Sequence, residues 1–117
     1  MRDEGNERDD HELSALLDLD KLIHEPARLT ILAHLYVIES ADFLFLMRQT
    51  GLTSGNLSSH VSKLEAAGYV GVKKEFINRK PHTMVSLTTE GRAAFDEYKE
   101  NMKHLLDSLV VIPWILG

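Results

Sequence analysis

The feature that most constrains the fold is a change in the spacing of apolar residues near Tyr69. Before this residue, apolar side chains such as Leu57, Val61 and Leu64 recur at intervals of four and three, the period of an amphipathic helix. Over residues 70–76 the period changes to two, with Val70, Val72, Lys74 and Phe76 facing one way, which is the period of a strand. The helical period returns further on, so the sequence predicts a mainly α protein with one small β-hairpin, an α+β fold.

Capping residues and helix breakers set the expected boundaries. Proline suits the first turn of a helix, Asp and Thr are good N-caps, and glycine is favoured after the last turn. We therefore expect these elements: helices over about 12–24 and 26–38, a short helix from Asp42 to Thr50, a fourth helix over about 53–68, a hairpin over about 70–88 with a basic turn at Asn78-Arg79-Lys80-Pro81, and a last helix over about 89–112.

Length and composition indicate one soluble domain over residues 13–117, after a disordered or frayed acidic leader over residues 1–12. The chain has 117 residues, 44% of them hydrophobic, and no cysteine, which excludes disulfides, thiolate metal sites and cysteine nucleophiles. The longest apolar run, residues 109–116, is far short of the ~20 needed to span a bilayer. With no secretory signal apparent, we expect a cytoplasmic protein without a membrane partner.

The net charge of −5 is distributed unevenly along the chain. Residues 1–12 contain six acidic and two basic side chains, whereas residues 53–88 contain five basic and two acidic ones. The overall acidity taken alone argues against a nucleic-acid partner. The division by segment places a net charge of +3 on the fourth helix and the hairpin, where a polyanion could bind.

The fourth helix has an unusual outer face. Opposite its apolar stripe it carries Gly55, Asn56, Ser59, Ser62 and Lys63, which are small, neutral or basic. A solvated helix face would be expected to carry Glu–Lys pairs, whereas a helix in a DNA groove needs short side chains and hydrogen-bond donors. A serine-rich surface helix is the alternative interpretation.

The last helix carries a heptad-like seam rather than a broad apolar face. Its apolar residues are spaced 3, 4, 3, 4 and 3, which is typical of a helix that pairs with another helix. We expect it to pair with the same helix, or with the first helix, of a second copy, and Trp114 to add to an apolar patch. The predicted dimer interface comprises Leu13, Leu16, Leu17, Phe95, Tyr98, Met102, Leu105, Leu109, Ile112 and Trp114. The alternative is that the helix folds back on the core of its own chain.

Three linked motifs resemble the ArsR/MarR-type winged helix-turn-helix regulators of bacteria and archaea. Residues 51–61, Gly-Leu-Thr-Ser-Gly-Asn-Leu-Ser-Ser-His-Val, are similar to their recognition-helix region. Residues 64–70, Leu-Glu-Ala-Ala-Gly-Tyr-Val, resemble the end of that helix and the first wing strand. Residues 79–82 and 87–92 resemble the wing tip and the start of the following helix, so the likeness covers roughly residues 20–100.

The resemblance implies a homodimeric regulator that binds double-stranded operator DNA, and we expect a repressor, although the motifs fit activation as well. It places the fourth helix in the major groove and the wing on the backbone or in the minor groove. The DNA-binding residues implied in this way are Ser54, Asn56, Ser58, Ser59, His60 and Lys63 on the helix, and Lys73, Lys74, Arg79 and Lys80 on the wing.

The chain departs from the family in its sensor residues. Metal-sensing members carry a cysteine pair on the helix before the recognition helix, where this chain has Phe43-Leu44-Phe45-Leu46-Met47. No oxidation-sensing cysteine is present either, so we expect no metal and no cofactor, and the effector would be an unknown small molecule. Phe43, Phe45 and Met47 could line its pocket, although core packing is the better interpretation.

Several histidines allow two interpretations. His60 could donate to a base or phosphate, or could pack behind the wing. His24 and His34 are interpreted as packing or surface residues. His104 and Asp107 have a spacing that could supply two zinc ligands, but no third ligand is identifiable, which leaves metal binding near His104 open.

The competing function is that of a winged-helix interaction or dimerisation module without DNA binding, which the net acidity and apolar C-terminus favour. An enzyme is not expected, because the sequence contains no nucleophile–base pair, phosphate-binding loop or metal set.

Overall fold

The computed structural model describes residues 19–116, with side chains described up to residue 109. Within residues 19–116, four helices and three strands follow one another in the order α1 (Pro26–Ile38), β1 (Ser40–Asp42), α2 (Phe43–Thr50), α3 (Ser54–Ala66), β2 (Val70–Ile77), β3 (Lys80–Leu87) and α4 (Thr89–Leu116). The strands form one antiparallel sheet in the order β1-β3-β2. The predicted mainly α fold with a hairpin wing is confirmed.

The segment before α1 differs from the prediction. A helix over 12–24 was expected, but the described part, residues 19–24, consists of turns and bends, so the prediction is wrong there; residues 12–18 lie outside the described part. Asp20 causes the difference, because its Oδ1 atom accepts hydrogen bonds from the N–H groups of Leu22 and Ile23 at 2.9 and 3.2 Å. This side-chain turn competes with helical hydrogen bonding. Leu19 and Ile23 nevertheless reach the core.

Strand β1 was not predicted. It has three residues and pairs with β3 through Ser40–Ser86, Ala41–Val85 and Asp42–Met84. So short a segment has no readable alternation, and its only buried residue is Ala41. It forms because α1 ends at Glu39, whose φ of 68° turns the chain back along the sheet.

The core joins all four helices to the base of the hairpin. Its fully buried members come from α1 (Ile31, Leu32, Leu35), α2 (Leu46), α3 (Leu57, Leu64) and β3 (Val85), together with Ile23. Within residues 19–109, no buried side-chain polar atom lacks a hydrogen-bond partner. Among the described helices, none is long and apolar enough to cross a membrane.

Candidate nucleic-acid interface

Local sequence fixes both ends of α3. The Thr53 hydroxyl accepts a hydrogen bond from the N–H of Asn56 at 3.2 Å and caps the first turn. After the last turn, Gly68 adopts φ +82°, a conformation that glycine reaches without strain.

The outer face of α3 is exposed and small, as the sequence predicted. Gly55, Ser59 and Ser62 lie opposite the buried stripe formed by Leu57, Val61 and Leu64, since residues of a helix are spaced 100° apart around its axis. The predicted DNA contacts that are exposed on this helix are Ser54, Asn56, Ser58, Ser59 and Lys63. Short side chains therefore surround a central stripe that a flat or grooved partner can approach closely.

His60 is placed differently from the other predicted contacts. Its Nδ1 atom lies 3.1 Å from a guanidinium nitrogen of Arg28 and 3.8 Å from a carboxylate oxygen of Glu25, both near the start of α1. The His60 side chain is only 20% exposed. The geometry favours the packing interpretation, although the residue packs against α1 rather than behind the wing.

Glu25 and Arg28 hold this end of α1 against α3. The Glu25 carboxylate caps α1 by accepting the N–H of Arg28 at 2.8 Å, and Arg28 Nε donates to the carbonyl of Leu22 at 2.6 Å. Burial would raise the pKa of Glu25. Hydrogen bonds from the Arg28 and Ala27 N–H groups, together with the charges of His60 and Arg28, outweigh burial and leave that pKa lowered. Sequence reasoning missed this cluster because its members are up to 35 residues apart; Pro26 after Glu25 was the only local signal.

The wing is a regular hairpin with a basic tip. Its strands pair from Val70–Leu87 to Ile77–Lys80. The turn contains only Asn78 and Arg79, at φ 52° and 66°, as in the type I′ turns that suit hairpins. The predicted four-residue turn is therefore shorter in the structure, because Lys80 and Pro81 pair with β2.

The four predicted wing cations are all exposed. Lys73 and Lys74 point to opposite faces of the hairpin because successive strand residues alternate. Lys73 lies 3.7 Å from the carboxylate of Glu75. Arg79 in the turn and Lys80 beside it lie at the tip of the hairpin.

Two polar contacts fix the wing to the helix-turn-helix unit. His82 on β3 hydrogen-bonds Asp42, the N-cap of α2, and the Ser86 hydroxyl donates to that of Ser40 at 2.9 Å. The hydrogen bond with His82, assisted by those from the Leu44 and Phe45 N–H groups, lowers the pKa of Asp42 against the opposing effect of burial. The wing is thus held in a defined position relative to α2 and α3.

The predicted dimer residues divide into three groups. Phe95, Tyr98 and Leu105 are buried in the core of their own chain, and Met102 packs against that core, as the alternative interpretation of this helix described. Leu109 is 46% exposed. The remaining side chains lie outside the described residues: Leu13, Leu16, Leu17, Ile112 and Trp114.

The other candidate sites are placed as follows. Phe43, Phe45 and Met47 are partly buried against the core, which favours packing over a pocket lining. His104 and Asp107 are exposed on α4. Within the described part of the chain, no group of three or more His, Asp or Glu side chains is arranged to hold a metal ion.

The comparisons with known proteins agree with this geometry. A family described as "winged helix DNA-binding domain" matches residues 27–106. An uncharacterised protein of Methanocaldococcus jannaschii is 40% identical over 78 residues, which cover 67% of this chain and 85% of that protein. A transcriptional regulator homologue from Pyrococcus horikoshii has a similar structure, with a TM-score of 0.79, 30% identity, and coverage of 86% of this chain and 98% of that one.

A more distant structure shares the fold. BpsR of Bordetella bronchiseptica, whose DNA binding is regulated by 6-hydroxynicotinic acid, has a TM-score of 0.63 at 16% identity, with coverage of 92% of this chain and 88% of that one. The family match spans both the exposed face of α3 and the wing. The chain therefore belongs to the winged helix DNA-binding domain family.

Proposed function

We propose that this protein is a homodimeric transcriptional regulator that binds double-stranded operator DNA, with α3 in the major groove and the wing on the adjacent backbone or minor groove. The observation that carries the proposal is the exposed face of α3, whose central stripe consists of Gly55, Ser59 and Ser62. Basic side chains at Lys63 and on the wing lie on the same domain. The family match and the regulator from Pyrococcus horikoshii support this function.

Gly55 supports close approach to a partner. A Cβ added at this position meets no atom within 4 Å, and its backbone does not require a positive φ. Folding therefore gives no steric reason for glycine, whose helix propensity is lower than that of alanine. A glycine on the face that would enter the groove allows the helix backbone to come near the DNA.

The proposed contacts divide by chemistry. Asn56, Ser58 and Ser59 can exchange hydrogen bonds with base edges, and Lys63 can donate to guanine or to phosphate. Arg79 and Lys80 at the wing tip contribute contacts that depend on phosphate charge rather than on base sequence. His60 has a supporting role, because it lies on the side of α3 that faces α1 and holds the two helices together.

The homodimer remains a proposal, and α4 is its expected interface. Leu106 and Leu109 are 49% and 46% exposed near the end of the described side chains. A second copy would bury them, and repression would follow if the dimer occupied a promoter. The small-molecule effector also remains a prediction; a cavity of about 260 Å³ lined by Asp20, Tyr69, Glu97 and Asn101 offers room for one.

The proposal is tested by selecting bound fragments from genomic DNA with the purified protein and titrating the recovered site with salt. Each phosphate contact should contribute about −0.9 to the slope of log affinity against log salt. Lys63→Ala and Ser59→Ala should change the preferred sequence, whereas Arg79→Ala should weaken all DNA about equally.

Lys21→Ala is the matched control, because it removes an exposed cation from the segment before α1, outside the proposed DNA-binding surface and outside α4. It should leave affinity and sequence preference unchanged. An isotherm that does not respond to salt, or a dimer that selects no DNA at low salt, would favour the interaction module instead.

A further inference from the structure

We propose that Phe76 is an apolar wedge at the wing tip that enters the minor groove and bends the DNA, an inference that rests on the proposed function. Phe76 is 78% exposed, although burying an aromatic ring is strongly favourable. Ile77 beside it is 42% exposed. The tip of a basic hairpin therefore presents an aromatic ring that the core does not use.

The pairing of β2 with β3 shows which side chains lie beside the ring of Phe76. Phe76 pairs with Pro81 across the hairpin, and Lys74 pairs with Thr83 one step closer to the core. These four side chains share one face, since residues two apart on a strand point the same way. Phenylalanine and proline are among the side chains that DNA-bending proteins insert between base pairs.

The charges at the tip favour DNA as the occupant. Arg79 follows the ring in the turn, and Lys74 precedes it on the same face. Lys80 is the first residue of β3 and pairs with Ile77, so it adds a cation at the tip on the opposite face. The nearby acid, Glu75, points to the opposite face, where it lies 3.7 Å from Lys73. An apolar group flanked by cations matches a minor groove, in which stacked bases lie between two rows of phosphates.

The hairpin face that carries Phe76 also packs against α3 at its base, and this position agrees with DNA as the partner. At the base of the hairpin, the same face carries Val70 and Val85, which are buried in one core cluster with Leu57 and Leu64 of α3. Phe76 lies six residues beyond Val70, about 20 Å along an extended strand. A duplex lying along α3 can therefore reach the ring.

The test compares bending of the selected DNA site by the full-length protein and its variants. End-labelled duplexes report the bend by energy transfer, and 2-aminopurine placed at steps under the wing reports unstacking. The wild type should bend the site, and Phe76→Ala should reduce the bend by at least about 20°, the lower limit for wedge insertion. Phe76→Leu, which keeps an apolar wedge, should retain most of the bend.

Two controls separate the wedge from the rest of the interface. Val37→Ala removes an equally exposed apolar side chain, 79% exposed, at the end of α1 remote from the α3 contact, and should leave the bend unchanged. Arg79→Ala should reduce the salt slope by about 0.9 but keep the bend. Phe76→Ala should keep the salt slope.

Failure of the wedge and failure of the proposed function are distinguishable. A wild type that binds the site without bending or unstacking, or a Phe76→Ala variant that bends it equally, overturns the wedge alone. A Phe76→Ala variant that instead dissociates the dimer shows that the tip contacts protein, which also overturns the wedge. A wild type that binds no DNA overturns both proposals.

Discussion

His82 on β3 and Asp42 at the start of α2 share a direct hydrogen bond between the imidazole Nδ1 atom and carboxylate Oδ2. The other carboxylate oxygen of Asp42 accepts the N–H of Leu44 at 2.7 Å. One side chain therefore caps a helix and anchors the wing. Because the two residues are 40 positions apart, only the tertiary fold brings them together.

We predict that Asp42→Asn lowers the free energy of unfolding at pH 7 by about 1 kcal/mol, the size of one hydrogen bond. Asparagine is an equally good N-cap, so the loss should reflect the charged contact with His82. The pKa of Asp42 is lowered in the folded state, so the unfolded state takes up the proton first as the pH falls. The stabilisation is therefore present above the ordinary aspartate pKa and is lost as the pH drops through the folded value.

Urea unfolding between pH 2.5 and 7 measures this effect. The difference between wild type and Asp42→Asn should shrink as the pH falls below about 4. Asp107→Asn, which neutralises an exposed carboxylate on α4, controls for the change in net charge. A difference that stays constant down to pH 2.5 would contradict the role assigned to Asp42.

A second prediction concerns Gly91, where α4 crosses the backbone of Tyr69. A Cβ on Gly91 would lie 2.1 Å from the Tyr69 carbonyl oxygen, a separation that real structures do not contain. Gly91→Ala should lower the free energy of unfolding by about 1–3 kcal/mol, because backbone must move to relieve the overlap. Chemical denaturation measures the loss.

Gly55→Ala is the matched control for this substitution. Its Cβ would be free of neighbours, so stability should stay the same or rise by up to ~1 kcal/mol. If Gly91→Ala were as stable as wild type, the close crossing of α4 over Tyr69 would be incorrect.

The contrast between these glycines shows how far sequence reasoning reaches. Local signals were sufficient for α2 and α3, because Asp42 and Thr53 are N-caps and Gly68 supplies the positive φ after α3. The same signals could not show that Gly91 faces a carbonyl oxygen, since that contact depends on how α4 crosses the chain.

In the candidate DNA-binding site, too, local sequence predicts some features, whereas tertiary contacts decide the others. Helical spacing predicted the exposed face of α3 correctly at Ser59 and Lys63. It could not place His60, because the orientation of that ring depends on Arg28 and Glu25 in a different helix. The seam on α4 was equally ambiguous, since one heptad pattern serves a partner helix or the chain's own core.

A third prediction concerns Tyr69, whose hydroxyl donates to Asp20 Oδ2 at 2.5 Å. This hydrogen bond, with burial and the charges of Asp20 and Glu97, raises the pKa of Tyr69 to about 12. The raised pKa means that the folded state keeps the phenolic proton longer than the unfolded state does. The stabilisation from the Tyr69–Asp20 hydrogen bond is therefore fully present below about pH 10 and is lost as the pH rises towards 12.

Absorbance at 295 nm during alkaline titration follows phenol ionisation. Asp20→Asn should shift the last titrating tyrosine to lower pH, and Tyr69→Phe should remove that step. Asparagine can still accept the N–H groups of Leu22 and Ile23, so the turn should survive. An unchanged titration in Asp20→Asn would show that Asp20 does not control this phenol.

The fourth prediction tests the proposed dimer through the exposed apolar residues of α4. Leu106→Lys with Leu109→Lys should weaken self-association at least tenfold, because burying the exposed half of each leucine contributes about 1 kcal/mol and a buried lysine opposes it. Sedimentation equilibrium measures the change.

Val37→Lys is the matched control, as Val37 is 79% exposed on α1, away from this helix face. Since both leucines are about half-exposed in one chain, the fold should survive both substitutions, with an unchanged circular dichroism spectrum. A double variant that remains dimeric at the wild-type concentration would place the interface elsewhere.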